Sequence, residues 1–329
     1  MAVTYNNRES NMKKTVILNS AKFNFDNRLN FSELEKISEV SKFDSTSPDS
    51  ILEKIQNQNI LITKELPVPG DVIKQFPSSV ELICEAGTGF NNIDITAAKE
   101  KNITVCNVPG YSTDSVAQLA FSLILNLSSS IKQQQLMIKQ KNFENFTKFL
   151  QVPHSELKGK ILGVIGAGTI GKQVIKIARA FEMNVLFYDL NPGSWDDSSV
   201  KSATIEEILK QSDFITLHCP LTADTRYLID KNRLQLMKPS SYIVNTSRGA
   251  LIKENDLIEA LQNKQIAGAG LDVLDPEPPA LDNPLFEMEN VILTPHIGWQ
   301  TIEARQRLVE QLSINISSFI NGKPVNVVN

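Results

Sequence analysis

The sequence predicts an α/β protein made of two doubly wound parallel-sheet domains. Three observations point there. Short apolar runs alternate with helical patterns over residues 15–106 and again over 160–294. A glycine-rich turn, Gly166-Ala-Gly168-Thr-Ile-Gly171, stands between a strand pattern and a helix pattern. The chain has 329 residues, which exceeds the ~150 of one average domain.

Taken in order, Thr15–Leu18, Ile60–Thr63, Val80–Cys84 and Ile103–Cys106 read as strands, with helices over 31–37, 48–56 and 93–101. Behind the N-cap candidates Ser112, Thr113 and Asp114, residues Val116, Leu119, Ala120, Leu123, Ile124, Leu127 and Ile131 recur at helical spacing. They predict one sustained helix that also connects the domains. Residues 132–158 are polar apart from Phe143, Phe146 and Phe149, a stripe suited to packing within the chain or against a second copy.

Lys160–Ile165 then reads as a buried strand, Lys172–Phe181 as a helix and Asn184–Asp189 as a second strand. This is a βαβ unit, and it gives the glycines their meaning. Gly166 allows the tight turn, Gly168 leaves room for a pyrophosphate and Gly171 lets the helix lie close. The helix N-terminus offers N–H groups and partial positive charge to phosphates. Asp189 follows Gly166 by 23 residues, near the ~20-residue offset of a ribose-binding acid. A carboxylate there accepts from both ribose hydroxyls and repels a 2′-phosphate, and no arginine follows in Asn191-Pro192. The expected cofactor is therefore NAD(H) rather than NADP(H). Further strands are expected at 214–218, 242–245, 267–271 and 291–294, a helix at 254–262 and a last helix over about 301–321. That helix has Leu308, Val309, Leu312, Ile316, Phe319 and Ile320 on its apolar face and an expected Glu303–Arg307 i,i+4 pair. Gly322 and Pro324 stop it.

Composition excludes other classes. Lys and Arg number 33 against 37 Asp and Glu, a net charge of −4, with no basic stripe for nucleic acid. No apolar run reaches the ~18 residues of a membrane span. The polar residues 1–11 lack a signal-peptide core and read as a short leader before Met12. The three cysteines, Cys84, Cys106 and Cys219, show no CxxC spacing and read as reduced thiols of a cytoplasmic protein. With three histidines and three cysteines, no metal-ligand cluster is expected.

Arg248, Glu277 and His296 follow three strands of the second half. Carboxyl ends of strands face the ligand crevice of an open α/β sheet. Reducing a 2-keto acid takes a hydride donor, a proton donor for the forming alkoxide and a cation for the carboxylate. Histidine can give the proton near neutral pH. A neighbouring glutamate favours and orients the imidazolium. Arginine offers a planar fork that keeps its charge.

The motifs carry a resemblance. Gly87-Thr-Gly-Phe-Asn-Asn-Ile-Asp94, Cys106-Asn-Val-Pro-Gly-Tyr-Ser-Thr-Asp-Ser-Val-Ala-Gln118, Glu156-Leu-Lys-Gly-Lys160, His218-Cys-Pro-Leu-Thr222, Asn245-Thr-Ser-Arg-Gly249, Gly270-Leu-Asp-Val273, Glu277-Pro278 and Thr294-Pro-His-Ile-Gly-Trp299 stand in one order. In these the chain resembles the D-isomer-specific 2-hydroxyacid dehydrogenase family over essentially its whole length after Met12. The resemblance implies a Rossmann cofactor domain (residues 111–301) and a discontinuous, flavodoxin-like substrate domain (1–110 and 302–329), with the active site in the cleft. It implies Arg248, Glu277 and His296 as the catalytic group, and Thr88 and Gly89 as backbone donors to the substrate carboxylate beside Arg248 and His296. Implied cofactor contacts are Thr113, Gly166, Gly168, Thr169, Ile170, Gly171, Asp189, Cys219, Pro220, Thr246, Ser247, Arg248, Asp272, His296 and Gly298. It further implies a homodimer joined near Phe143, Phe146 and Phe149, although the linker at 131–155 lacks the Trp- and Arg-rich text usual there.

Tyr111–Gln118 and His296–Trp299 are most similar to the branch that reduces hydroxypyruvate to D-glycerate, with glyoxylate as a second substrate. The alternatives are a D-lactate or 3-phosphoglycerate dehydrogenase, and an NAD(H)-sensing co-repressor-like binding protein. Partner-docking extensions are not evident, and the chain stops soon after its last helix, where long phosphoglycerate dehydrogenases continue. Glu277 speaks against formate oxidation, which releases no hydroxyl proton.

Overall fold

The computed structural model describes residues 12–193 and 195–329. The expected leader, residues 1–11, lies outside the described residues. The chain divides into two compact units, one running to residue 112 and resuming over 300–329, the other spanning 113–299. These breaks lie two residues from those expected at 110 and 302.

In the first unit, β1 (Lys14–Ile17), β2 (Glu39–Lys42), β3 (Ile60–Thr63), β4 (Leu82–Glu85) and β5 (Thr104–Cys106) are parallel, in the order β2-β1-β3-β4-β5. The order reverses between β1 and β3, as in a flavodoxin-like sheet. β3 and β4 are buried along their whole length, as expected of parallel strands covered on both faces. The helices are α1 (Ser32–Ile37), α2 (Ile51–Lys54), α3 (Gly70–Ile73) and α4 (Ile95–Glu100). α4 is capped by the Asp94 carboxylate, which accepts from the Ala97 N–H at 2.9 Å.

Several expectations are corrected here. β2 was not foreseen, because Glu39-Val-Ser-Lys42 is an edge strand with charged ends. The helix expected over 48–56 is a 3-10 turn at Pro48–Ser50 followed by the single turn α2. β4 runs to Glu85 rather than ending at Cys84, which carries an acid into the core.

The second unit opens with α5 (Thr113–Ser128), α6 (Ile131–Lys139) and α7 (Glu144–Thr147). The single helix expected through Ile131 is therefore broken. Ser128-Ser-Ser130 interrupts it, with Ser130 in the left-handed region at φ 49°, and serine side chains compete for helix hydrogen bonds. Next come β6 (Ile161–Ile165), α8 (Thr169–Ala180), β7 (Asn184–Tyr188), β8 (Val200–Ser202), α9 (Ile205–Gln211), β9 (Phe214–Leu217), α10 (Lys231–Leu234), β10 (Tyr242–Asn245), α11 (Glu254–Gln262), β11 (Gly268–Leu271) and β12 (Val291–Leu293). The seven strands are parallel, in the order β12-β11-β10-β9-β6-β7-β8. The chain reverses direction across the sheet between β6 and β9, the point where α/β sheets bind ligands. α5 and α8 cover one face and α9, α10 and α11 the other. A capping box, Thr204 with Glu207, starts α9.

The last helix, α12 (Ile302–Ile320), rejoins the first unit and packs on α1, with Leu308, Leu312 and Ile316 buried. Its buried Arg305 grips the Asp26 carboxylate with both terminal nitrogens, at 2.9 and 2.7 Å. The hydrogen bonds from Arg305 hold Asp26 down at a pKa of about 2. The expected Glu303–Arg307 pair does not form. Arg307 Nε donates instead to the Tyr111 carbonyl at 2.9 Å. No helix among the described residues is long and apolar enough to cross a membrane.

Candidate active site

The glycine turn sits at the carboxyl end of β6, where the sheet reverses. Gly166 has φ 96°, and a Cβ there would stand 2.5 Å from the Cys219 nitrogen, so only glycine lets the turn press against the loop after β9. Gly171 abuts the Gly166 carbonyl. Gly168 is different: a Cβ there would meet nothing within 4 Å. It is exposed beside Thr169 and the half-buried Ile170, at the start of the twelve-residue α8. Asp189, just past β7, accepts the Ala167 N–H at 2.8 Å and the Asn191 N–H at 2.8 Å. The ribose-binding candidate is thereby tied to the phosphate-binding candidate.

The other candidates lie along the same sheet edge. Cys219 and Pro220 follow β9. Thr246, Ser247 and Arg248 follow β10, with Ser247 Oγ donating to the Leu217 carbonyl at 2.8 Å. Thr246 Oγ1 is buried and meets no hydrogen-bond partner, which is costly unless a ligand supplies one. Open space at Gly168, the α8 N-terminus, the Asp189 carboxylate and this orphaned hydroxyl together fit a dinucleotide.

Arg248, Glu277 and His296 converge at the ends of β10, β11 and β12. Gly249 permits it: a Cβ there would stand 2.0 Å from the Leu274 carbonyl, so the Arg248 loop lies directly against the loop that carries Glu277. His296 Nδ1 and Glu277 Oε2 are 2.8 Å apart, both side chains being about one-third exposed. Glu277 Oε1 also accepts the Leu274 N–H at 3.0 Å. Burial alone would raise the Glu277 pKa. The hydrogen bond and charge of His296, with Leu274 and the Arg248 guanidinium, outweigh it and hold the carboxyl below its ordinary value. Arg248 is exposed, with one terminal nitrogen on the Ser247 carbonyl at 2.8 Å.

Asp272 has a role that sequence reasoning missed. Its backbone oxygen accepts the His296 N–H at 2.8 Å, and its carboxylate accepts from Thr294 Oγ1 (2.6 Å), Ile297 N–H (2.8 Å) and Gly298 N–H (2.9 Å). The loop that presents His296 is wound around this one buried acid. His296 itself has φ 53°, a left-handed backbone that is uncommon outside glycine. Ser115, two residues beyond Thr113 in α5, donates its hydroxyl to the Gly298 carbonyl. His218 stands directly after β9. Its Nε2 meets Thr216 Oγ1 at 2.9 Å, its Nδ1 has no partner and burial lowers its pKa to about 4.

In the first unit, Thr88 and Gly89 are exposed on the loop after β4. Neither of their N–H groups meets an acceptor among the described residues. A Cβ at the adjacent Gly87 would stand 3.4 Å from both Glu85 Oε1 and Lys64 Nζ. Glu85 is fully buried, and burial lifts its pKa to about 7 against hydrogen bonds from Asn92 and the Glu65 N–H. Sequence reading had no signal for this acid, which looks like any strand-end residue until the fold buries it.

Comparison with known proteins gives a consistent result. Residues 121–298 match the D-isomer specific 2-hydroxyacid dehydrogenase, NAD binding domain. The chain is 38% identical to a hydroxypyruvate reductase of Blautia hydrogenotrophica over 308 residues, 92% of this chain and 95% of that one. It is 40% identical to a D-3-phosphoglycerate dehydrogenase of Methanocaldococcus jannaschii over 90% of this chain and 56% of that one. Among solved structures it resembles a D-lactate dehydrogenase of Aquifex aeolicus complexed with NAD and lactic acid, at TM-score 0.79 and 29% identity, over 94% of this chain and 96% of that one.

Proposed function

The chain belongs to the D-isomer specific 2-hydroxyacid dehydrogenases and carries their NAD-binding domain, and from that premise we propose that it reduces hydroxypyruvate to D-glycerate with NADH, glyoxylate being a second substrate. The observation behind the chemistry is the 2.8 Å contact of His296 Nδ1 with Glu277 Oε2 beside Arg248. With Nδ1 engaged by the carboxylate, Nε2 is the nitrogen assigned to give a proton to the substrate's C2 oxygen. Glu277 holds the ring orientation and favours its charged form. Arg248 takes the carboxylate and polarises the carbonyl. The exposed Thr88 and Gly89 N–H groups are assigned to the carboxylate as well. NADH, when bound, supplies the hydride to C2. Gly166, Gly168, Thr169, Ile170 and Gly171 receive the pyrophosphate, and the Asp189 carboxylate supports NADH over NADPH by repelling a 2′-phosphate. Thr246 Oγ1, Cys219 and Pro220 line the nicotinamide side.

Two features favour hydroxypyruvate. The Blautia relative is similar along nearly the full length of both chains. Near Gly87 the Lys64 ammonium is matched by the Glu65 carboxylate at 2.6 Å, which disfavours a substrate phosphate there. Initial rates on hydroxypyruvate, glyoxylate, pyruvate and 3-phosphohydroxypyruvate, with NADH and then NADPH, test the reading. Highest kcat/KM on hydroxypyruvate with NADH is expected. A preference for the phosphorylated acid or for NADPH overturns that part, and no turnover of any 2-keto acid overturns the whole.

We also propose a homodimer. Phe143, Phe146 and Phe149 are 52%, 75% and 93% exposed, a water-facing apolar stripe suited to a second copy. Sedimentation equilibrium should return twice the chain mass; a monomer at micromolar concentration rejects this assembly.

A further inference from the structure

We propose that Glu254, the first residue of α11, is a positioning residue for Glu277: its carboxylate clasps both ends of the loop that carries Glu277, and so sets how Glu277 meets His296. The proposal rests on the function proposed above, and the contacts that carry it lie wholly within the second unit.

The loop runs over residues 275–283, between β11 and the 3-10 turn Pro284–Phe286. Pro276, Pro278, Ala280, Leu281 and Asp282 are exposed, Leu281 at 99%. Apolar burial therefore does little to place the middle of the loop, and its conformation depends on how the two ends are held.

Both ends meet Glu254. At the first, Glu254 Oε2 takes the Asp275 N–H in a long contact of 3.5 Å, just where the Leu274 carbonyl lies against Gly249. At the second, Glu254 Oε1 accepts from Asn283 Nδ2 at 2.8 Å. Asn283 is buried, and its Oδ1 accepts the Leu285 N–H at 3.0 Å, which ties the clasp to the fully buried Leu285. Glu254 is itself a fixed point, because α11 is seated in the core through Leu257, Ala260 and Leu261. The ion pair of Arg226 with Asp275, at 3.7 Å and half exposed, adds little.

A carboxylate suits this task. It only accepts, its two oxygens serve two donors at once, and its charge strengthens both bonds. A glutamine offers one accepting oxygen and turns its amide nitrogen against the other donor. With both ends clasped, Glu277 accepts the Leu274 N–H through Oε1 and meets His296 Nδ1 through Oε2. A misplacement of the loop by a fraction of an ångström loosens that second contact, and with it the orientation and charge of the imidazole.

The test is Glu254→Ala. The kcat for hydroxypyruvate should fall about 10-fold or more, the scale of a small misplacement of acid–base groups. The NADH Kd, read by fluorescence quenching, should stay within about 2-fold, because α11 is remote from the glycine turn in sequence and no cofactor contact is removed. The alkaline limb of the kcat pH profile should move to lower pH, because a loosened Glu277 supports the imidazolium less while Arg248 and Asp272 stay in place. Amide exchange at Asp275 should speed up in the same protein. Glu254→Gln, which keeps one of the two bonds, should fall between. Adding Glu254→Ala to Glu277→Gln should change kcat by less than about 2-fold, since Glu254 acts through Glu277 alone. If Glu254→Ala does not fold, Glu254→Gln and Asn283→Ala should show the same pH shift with smaller losses. Folded variants with the wild-type pH profile and exchange, or losses that simply add in the double variant, overturn the clasp. A wild-type protein that reduces no 2-keto acid overturns the substrate reading instead, while exchange at Asp275 still decides whether Glu254 holds the loop.

Discussion

His296 is held by two acids with separate tasks. Asp272 winds the backbone around itself and keeps residue 296 in a left-handed conformation. Glu277 grips the ring at Nδ1. A replacement can therefore remove the proton donor without disturbing the loop, provided the new residue tolerates positive φ. Asparagine does, being among the residues enriched there. His296→Asn should keep the wild-type Tm and NADH affinity while lowering kcat by on the order of 10²-fold or more, the usual worth of positioned acid–base help. Steady-state kinetics beside a thermal melt checks this. An unchanged kcat would remove the imidazole from the mechanism, and a collapsed Tm would mean the ring is needed for the loop.

The turn from β6 into α8 shows how one element divides its labour among like residues. Gly166 answers to the fold: its φ is 96° and the Cys219 backbone fills the space a side chain would need. Gly168 answers to no neighbour, since nothing lies within 4 Å of its Cβ position. The two should fail differently. Gly166→Ala should lower stability by at least about 1–2 kcal/mol, from a strained φ and the backbone contact. Gly168→Val should leave the Tm within a degree or two and weaken NADH by about 10-fold or more, because the new methyls occupy the space read as the pyrophosphate site. Thermal melts with cofactor titration separate the cases, and Gly168→Val with wild-type NADH affinity would place the diphosphate elsewhere. The pattern of strand, glycines, helix and acid was legible because a βαβ turn is local. α5 was overextended for the same reason in reverse: periodicity carries through Ile131, and only the three-serine break, seen in space, stops it.

For the molecule as a whole, a buried electrostatic cost sits in the first unit at Glu85. The folded chain holds the Glu85 proton up to about pH 7, while an unfolded carboxyl releases it near 4.5. Between those values the unfolded state loses a proton that the folded state keeps, so stability falls as pH rises across that window and the loss is complete above it. The shift corresponds to on the order of 3 kcal/mol. Glu85→Gln removes this linkage. From pH 5 to 8 the wild-type Tm should drop by about 5 °C or more relative to the variant; parallel Tm profiles would show that Glu85 titrates as an ordinary carboxyl. What the sequence determined by itself was everything carried by short range and order: the two alternating α/β stretches, the glycine turn with Asp189, and Arg248, Glu277 and His296 each just past a strand. Local sterics and side-chain chemistry write those directly into the chain. What only the tertiary structure decided was which groups meet and which are cut off from water. Asp272 as the spindle of the His296 loop, Glu85 as a buried acid beneath Gly87, and Arg307 on the Tyr111 carbonyl instead of Glu303 all join residues distant in sequence. Such contacts depend on burial and on the closing of long loops, and neither leaves a periodic mark on the chain.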